Sequence, residues 1–552
     1  MGSPSAVYCF AAVVLGAYRQ MHPINMDPKR APGQEILVRV KHEISLLISR
    51  TYRNRSFTMA ASGVLIILFV AASILWRLYS YLRNDPLVSV NRAHWSARYT
   101  GTWIWWQHIR DNTAAAVHQA HLRHGPVVRL GPSEVSVCCV DGGLDVIYGT
   151  RERLPKTDWY QVANSHGQEP MVAIKDEHSH RERKKMLQPP YTKTALRTDT
   201  RWLNAQATLS GRLKSALDEM SSRSSTMDFY DLAFAWSVDS TTEYVLGPNA
   251  DSTLLCDLAR ARCMRKAYEQ ERSYQFLPLP KIVLKWMGYS PEISWVHQMI
   301  ERAHSSSPKD SGTVMDHFVR ALTRHHKAFK ASTSGDINEL VFSEIQDHMV
   351  AGIDTSAIAF TACTYLLSIP VHHIWQDQLR DELLSVGYSN AADLEKLSVL
   401  DAVLKEVLRL YAPVGGSQPR MTPDCVELGP PGHRVMVPKG VTVHSQAHTL
   451  HRSNAFPDPD VFDPGRWLHA SPEDFTTMKR WYWPFGSGSR ACIGMQLGTD
   501  NFKIAVATLY RNYHTEVVEG TSFAVSKGVI ATPVDQGDYH LRIRLRSTMK
   551  YA

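Results

Sequence analysis

The stretch FGSGSRACIG, Phe485 to Gly494, sets three glycines, two serines and an arginine around one cysteine, Cys492. A cysteine that ligates a metal must be a thiolate, and a thiolate in an apolar site needs hydrogen-bond donors and a nearby positive charge. Gly486, Gly488 and Gly494 allow a tight turn that aims backbone N–H groups at the sulfur and lets a flat ligand come close. Arg490 could neutralise a carboxylate on that ligand. The same residues also suit a surface loop around an inert cysteine, which is what most free cysteines are. Against that stands the next segment, MQLGTDNFKIAVATLYRNY, which opens a helix whose positive end lies against the thiolate.

Around this loop lies a chain of 552 residues, 44% hydrophobic and 21% charged, long enough to bury a large core in one domain or several. Its 61 basic and 53 acidic residues form no long single-sign block, and no motif or aromatic-basic stripe points to nucleic acid, so no such partner is expected. None of the eight cysteines forms a CxxC pair, which argues against a zinc ribbon or a small disulfide framework. The histidines of HLRH at 121–124, or His448 with His451, lack cysteine or carboxylate partners at metal spacing.

Residues 59–76, MAASGVLIILFVAASILW, carry no charge and just meet the length of a membrane-crossing helix. A buried core helix would normally show more polar positions than Ser62 and Ser73, so a membrane anchor is expected. Basic residues flank it on both sides, and only a start at Met59 would let the positive-inside rule hold the C-terminal part in the cytosol. Residues 1–58 are an extension whose short apolar run at 6–18 lacks the basic start of a signal peptide.

Beyond the anchor the chain reads as one folded unit, 86–552, without repeats or long linkers. PVVRLGPSEVSVCCV at 126–140 predicts a hairpin about a Gly-Pro turn, and DYHLRIRLR at 538–546 alternates as a strand. From Ile337 to 369, apolar residues recur at Leu340, Val341, Ile345, Met349, Ile353, Ala357 and Phe360, a helical period long enough to cross a core. Further helices are expected around 200–220 and 394–413, the second stopped by Pro413. The fold class is therefore mainly α (α+β) with small antiparallel sheets.

The cysteine stretch resembles the haem-binding signature of the cytochrome P450 family, matched here by Phe485, Gly488, Arg490, Cys492 and Gly494. The resemblance implies a P450 fold around haem b (iron protoporphyrin IX), with Cys492 as axial thiolate pushing electron density to the iron. AGIDTS at 351–356 is similar to the family's oxygen-binding notch. There Gly352 opens the helix, Thr355 hydrogen-bonds bound oxygen, and Asp354 helps to deliver protons. Read alone, the hexapeptide also fits a glycine packed in a core helix and a threonine bonded to its own backbone. KEVLR and FDPGRW together resemble the family's Glu-Arg-Arg triad, here Glu406, Arg409 and Arg466, with Gly465 where many relatives have Glu. His180, Lys184 and Arg420 fall where relatives bind the haem propionates, although a solvated basic face would look the same.

The resemblance runs over roughly 86–546, to fungal microsomal members in particular, and its motifs keep the family's order. It implies a monooxygenase fed by electrons from NADPH through a separate cytochrome P450 reductase, since the chain has no Rossmann or flavin fingerprint. Arg181, Arg183, Lys184 and Lys185 offer a face for that partner. The implied protein is single-pass in the endoplasmic reticulum membrane with its catalytic domain cytosolic. Its substrate would be a hydrophobic secondary metabolite, a terpenoid or polyketide, met by Met349, Val350, Val414, Gly415 and Ile530. Two alternatives stand beside this: a haem-thiolate isomerase or dehydratase, and a membrane-anchored haem protein without turnover.

Overall fold

The computed structural model describes residues 68–73 and 76. Between 85 and 547 it describes all but 150–153, 223–226, 251, 273–280, 287, 289, 307–310, 325–336, 388–389, 520–522, 524, 526–527 and 532–541. The chain divides into two units, Met1–Asn84 and Asp85–Ala552. In the first, 68–73 is helical and Leu68, Phe69 and Val70 are exposed; the extension and the start of the apolar run lie outside the described residues.

The second unit carries α1 (Thr113–His124), β1 (Val127–Gly131), β2 (Glu134–Val137), α2 (Glu177–Leu187), α3 (Thr200–Ser222), β3 (Met227–Asp228), α4 (Phe229–Val245) and α5 (Leu258–Arg272). It continues with α6 (Ile337–Ser368), α7 (Ser398–Leu410), β4 (Arg420–Met421), β5 (Val426–Leu428), β6 (Val435–Val437), β7 (Thr442–His444), α8 (Met495–Asn512), β8 (Tyr513–Val517) and β9 (Arg542–Ser547). The expected helices and the 126–140 hairpin form where the periodicity placed them.

Helix α6 is the axis of the unit. Its apolar positions, from Leu340 and Val341 to Phe360 and Leu367, sit in the main core together with α3, α4, α7 and α8. Among the described residues it is the one helix long and apolar enough to cross a membrane, but most of that window is buried in protein, which makes it a core helix. Helix α4 lies along it and is buried on nearly every side, because FYDLAFAWSVDSTTEYV offers only small or apolar groups and inward-bonded polar ones.

The sheets are small, with orders β1-β2-β7-β4, β3-β9-β8 and β5-β6. They are not wholly antiparallel as expected: β2 and β7 pair in parallel. Parallel partners need a long crossover, and most of the helical body intervenes between these two strands, out of reach of any local reading.

His121 pins α1 to the first sheet, with Nε2 2.8 Å from Ser136 Oγ and Nδ1 2.9 Å from the Gly125 carbonyl. Burial lowers its pKa to about 4, opposed by the Gly125 carbonyl and helped by His444 and His118. An unfolded histidine titrates near 6.5, so between pH 6.5 and about 4 only the unfolded chain takes the proton. Stability is full above 6.5 and falls by about 1.4 kcal/mol per pH unit through that window for this group alone. His451, lowered to about 3 by burial, acts in the same direction. Urea midpoints measured from pH 7 to 4 should therefore fall steadily, and His121→Asn should flatten the slope; a midpoint constant over that range contradicts this.

Candidate active site

The cysteine loop is built on backbone geometry. Cys492 N donates to Phe485 O at 2.9 Å, closing the turn, while Phe485 packs its ring against the main core. Gly486 and Gly488 have φ of +66° and +67°. A Cβ on Gly488 would stand 2.5 Å from Gly149 O and 2.6 Å from Tyr148 O, so that position requires glycine twice over. Gly494, the N-cap of α8, would place a Cβ within 4 Å of no protein atom.

Cys492 is exposed. Surrounding protein pushes its thiol pKa up; the Gly494 N–H and the Lys184 charge pull it down, and Asp347 pushes it up again. These donors and this cation are what an axial thiolate needs. Lys184 reaches across from α2 and donates to Ser489 O (2.8 Å) and Ala491 O (3.3 Å). Arg490 donates to Ile174 O (2.7 Å) and Lys175 O (3.1 Å), fastening the loop to the segment before α2.

Behind the loop several cations converge. His180 is buried and its pKa falls to about 2, first through burial and then through the charges of Arg490, Lys156, Lys184 and Arg420. Arg420 donates to Tyr160 Oη at 2.6 Å and lies over the Tyr148 and Tyr160 rings. Lys156, bridged to Arg420 through the backbone, donates to Val172 O at 2.5 Å. A positive field drawn from four segments beside an accessible cysteine fits a flat, doubly anionic cofactor such as haem. Lys156, Tyr148 and Tyr160 belong to no motif in the sequence, and what joins them to Arg420 is contact between distant segments.

The basic face expected on α2 does not form. Arg183 turns inward to Glu344 of α6 at 2.5 Å, and Lys184 is spent on the cysteine loop. Arg181 and Lys185 stay outside, paired within the helix with Glu177 and Glu182. The pattern HRERKK marks charges without saying which of them are buried.

On α6, Thr355 donates its hydroxyl to Ala351 O at 2.8 Å. Asp354 is held by an ion pair with Arg272 and accepts from Tyr268 Oη at 2.7 Å. Gly352 faces α4: a Cβ there would lie 2.7 Å from Thr241 Cγ2, so this glycine sets the approach of two helices. Met349 is wholly buried in the core, whereas Val350 lines a small cavity with Asp347. Gly415 lines a cavity of about 630 Å³ with Tyr365, Tyr411 and Phe523; its walls share no residue with the cysteine loop, and it is not assigned to substrate.

The Glu-Arg-Arg triad is complete. Glu406 Oε1 and Oε2 accept from Arg409 Nη2 (2.8 Å) and Nε (2.9 Å), Arg466 Nε (3.0 Å), Trp467 Nε1 (2.9 Å) and Asp463 N (3.0 Å). Arg409 in turn donates to the carbonyls of His451, Pro459 and Val461. Gly465 is glycine for space, since a Cβ would meet Asp463 Oδ1 at 2.8 Å and the Trp375 ring at 3.2 Å. His451, which sequence considered only as a metal ligand, accepts from Trp483 N at 2.7 Å and lies 3.1 Å from Arg409 O. It thereby joins the triad to the strand of chain entering the cysteine loop.

Residues 96–533 match the sequence profile of the family described as Cytochrome P450. The chain belongs to the cytochrome P450 family. It is similar to the tryprostatin B 6-hydroxylase of Neosartorya fischeri, 25% identical with 78% of this chain and 77% of the relative covered. It also resembles the cytochrome P450 monooxygenase tazI of Aspergillus terreus, 24% identical over 84% and 94% of the two chains. A crystal structure of a cytochrome P450 shares the fold, with a TM-score of 0.62 at 20% identity over 83% of this chain and 98% of that one. This P450 is accordingly a monooxygenase in class, with a haem-thiolate cofactor.

Proposed function

We propose that this P450 inserts one oxygen atom of O2 into a hydrophobic secondary metabolite. NADPH-derived electrons would come from a separate reductase, and the chain would be anchored by residues 59–76 in the endoplasmic reticulum membrane with its catalytic unit, 86–552, in the cytosol. The observation that carries this reading is an exposed Cys492 in a glycine-built turn, flanked by the Gly494 N–H and the Lys184 charge, in a chain whose core helix α6 bears Asp354 and Thr355. Relatives named as a hydroxylase and as monooxygenases support it.

Haem b, when bound on Cys492, supplies the oxygen-activating chemistry. The chain's own residues do the rest. The Gly494 N–H and Lys184 stabilise negative charge on the sulfur. Arg420, Lys156 and Arg490 would supply the positive field for the propionates, and His180, held neutral by it, could only offer a ring N–H. Thr355, whose hydroxyl donates to Ala351 O, would orient a proton if that hydroxyl turned to the reacting centre. Asp354 would pass a proton inward when it leaves Arg272 and Tyr268, which otherwise hold it. A positioned general acid contributes about 10² to 10⁴ in rate. Asp354→Asn is therefore expected to slow product formation at least about 100-fold while haem content and substrate affinity stay unchanged; a rate within a few-fold of wild type removes Asp354 from the relay.

The reading is tested by accurate-mass comparison of the source organism with and without the gene. A precursor that accumulates and differs from the lost product by added oxygen or removed hydrogen supports it. Isomeric compounds favour the rearrangement alternative, and an unchanged profile in a culture that makes the pathway's other products favours a protein without turnover.

A further inference from the structure

Away from the cysteine loop, the end of α6, the end of α7 and residues 523–531 enclose a cavity of about 630 Å³. Small-molecule sites run from about 300 to 1,000 Å³. Helix α6 is buried at every position from Ala357 to Ser368 except Tyr365, whose side chain lines this space. The Phe523 ring lies 5.3 Å from the Tyr365 ring and 5.5 Å from that of Tyr411, so three aromatic side chains form one wall. Leu366, Leu410 and Phe462 add apolar surface around them.

Backbone pairing holds one side of the cavity in place. Ala531 N donates to Pro413 O at 2.8 Å, and Gly416 N donates to Val529 O at 3.1 Å. A Cβ on Gly416 would stand 2.5 Å from Val529 Cα, so this close approach requires glycine. Val414 and Ile530, which the sequence places beside the substrate, lie within the paired stretch, and an occupant of the cavity would brace it.

The charged groups along the cavity are already matched. Arg452 donates to Asp460 Oδ1 at 2.9 Å and to Leu410 O at 3.1 Å, and Arg409 is held by Glu406. His372 Nδ1 lies 2.8 Å from Leu366 O. The hydroxyls of Tyr365 and Tyr411 differ: among the described residues neither has a hydrogen-bond partner, and neither is sealed inside protein. Matched charges favour an uncharged ligand, aromatic walls favour a flat ring system, and two idle hydroxyl donors favour an acceptor on its edge.

From this wall we propose that the cavity is a second ligand site, separate from Cys492, which takes an uncharged, flat aromatic molecule and binds its carbonyl oxygen through Tyr365 and Tyr411. It shares no residue with the cysteine loop, and binding there does not depend on the monooxygenase reading.

The test uses the full-length haem-loaded protein and two probes of nearly equal shape, 9-fluorenone and fluorene, the second lacking the carbonyl. Affinities are measured by equilibrium dialysis, with the haem absorption recorded on the same samples. The wild-type chain should bind 9-fluorenone about fivefold or more tightly than fluorene. Tyr365→Phe combined with Tyr411→Phe keeps both rings and should erase that preference by weakening 9-fluorenone, with fluorene held within about twofold. Ile369→Trp fills the cavity and should weaken both probes about tenfold or more; if it does not fold, the double variant decides alone. Equal binding of the two probes by the wild-type chain, or a ketone preference that survives the double variant, overturns the proposal. So does a haem spectral change on binding that persists in the variants, since it places the probe beside Cys492.

Discussion

Glu406→Ala is expected to yield no haem-loaded protein, and chain recovered from inclusion material should refold with a urea midpoint far below that of wild type. Five donors converge on this carboxylate, and the Arg409 and Arg466 guanidinium groups are themselves buried or nearly so. Removing one member of a buried ion pair leaves an uncompensated charge and costs about 3–5 kcal/mol, against a total stability of about 5–15 kcal/mol for a typical native protein. The damage also spreads along the chain. Arg409 holds the carbonyls of His451, Pro459 and Val461, and His451 holds Trp483 two residues before Phe485. Glu406→Gln keeps the shape and should retain part of the stability. Burial pushes the Glu406 carboxyl up, but Arg409 and Arg466 hold it below the usual carboxylate range, so its contribution is full above about pH 4.5 and is lost as pH falls. A Glu406→Ala protein with wild-type haem content and denaturation midpoint would show that the triad does not hold the site together.

Cys492→Ala should behave in the opposite manner: the chain folds, and activity is lost completely. The side chain is accessible, and the turn around it is closed by its backbone N–H to Phe485 O, which alanine keeps. Only the sulfur disappears, and with it the axial ligand. Reintroducing this variant into a strain lacking the gene should leave the precursor unconverted, while its urea midpoint stays within about 1 kcal/mol of wild type in the haem-free state, as for an ordinary surface change. Restoration of product by Cys492→Ala would remove the cysteine from the chemistry.

The parts of this architecture legible in sequence were those encoded within one segment. The apolar period of α6, the Gly-Pro hairpin and the spacing from Phe485 to Gly494 are local, and each element formed where expected. Glu406 and Arg409 could be paired from their spacing, and Arg466 through the resemblance. What escaped depended on contacts between distant segments. The parallel pairing of β2 with β7, the inward turn of Arg183 to Glu344, and the approach of Thr241 to Gly352 have no signature in the strings that contain them. Of the positive field around His180, Lys184, Arg420 and Arg490 were named through the resemblance, and only Lys156 escaped.

The central claim is that Cys492 is the axial thiolate of a haem. The absorption spectrum of the reduced, carbon-monoxide-treated full-length protein tests it most directly, because thiolate ligation moves the main haem band to longer wavelength than a nitrogen ligand does. The wild-type chain should show that displaced band and Cys492→Ala should lack it. A wild-type spectrum of the nitrogen-ligated kind, or a displaced band that survives Cys492→Ala, would contradict the account.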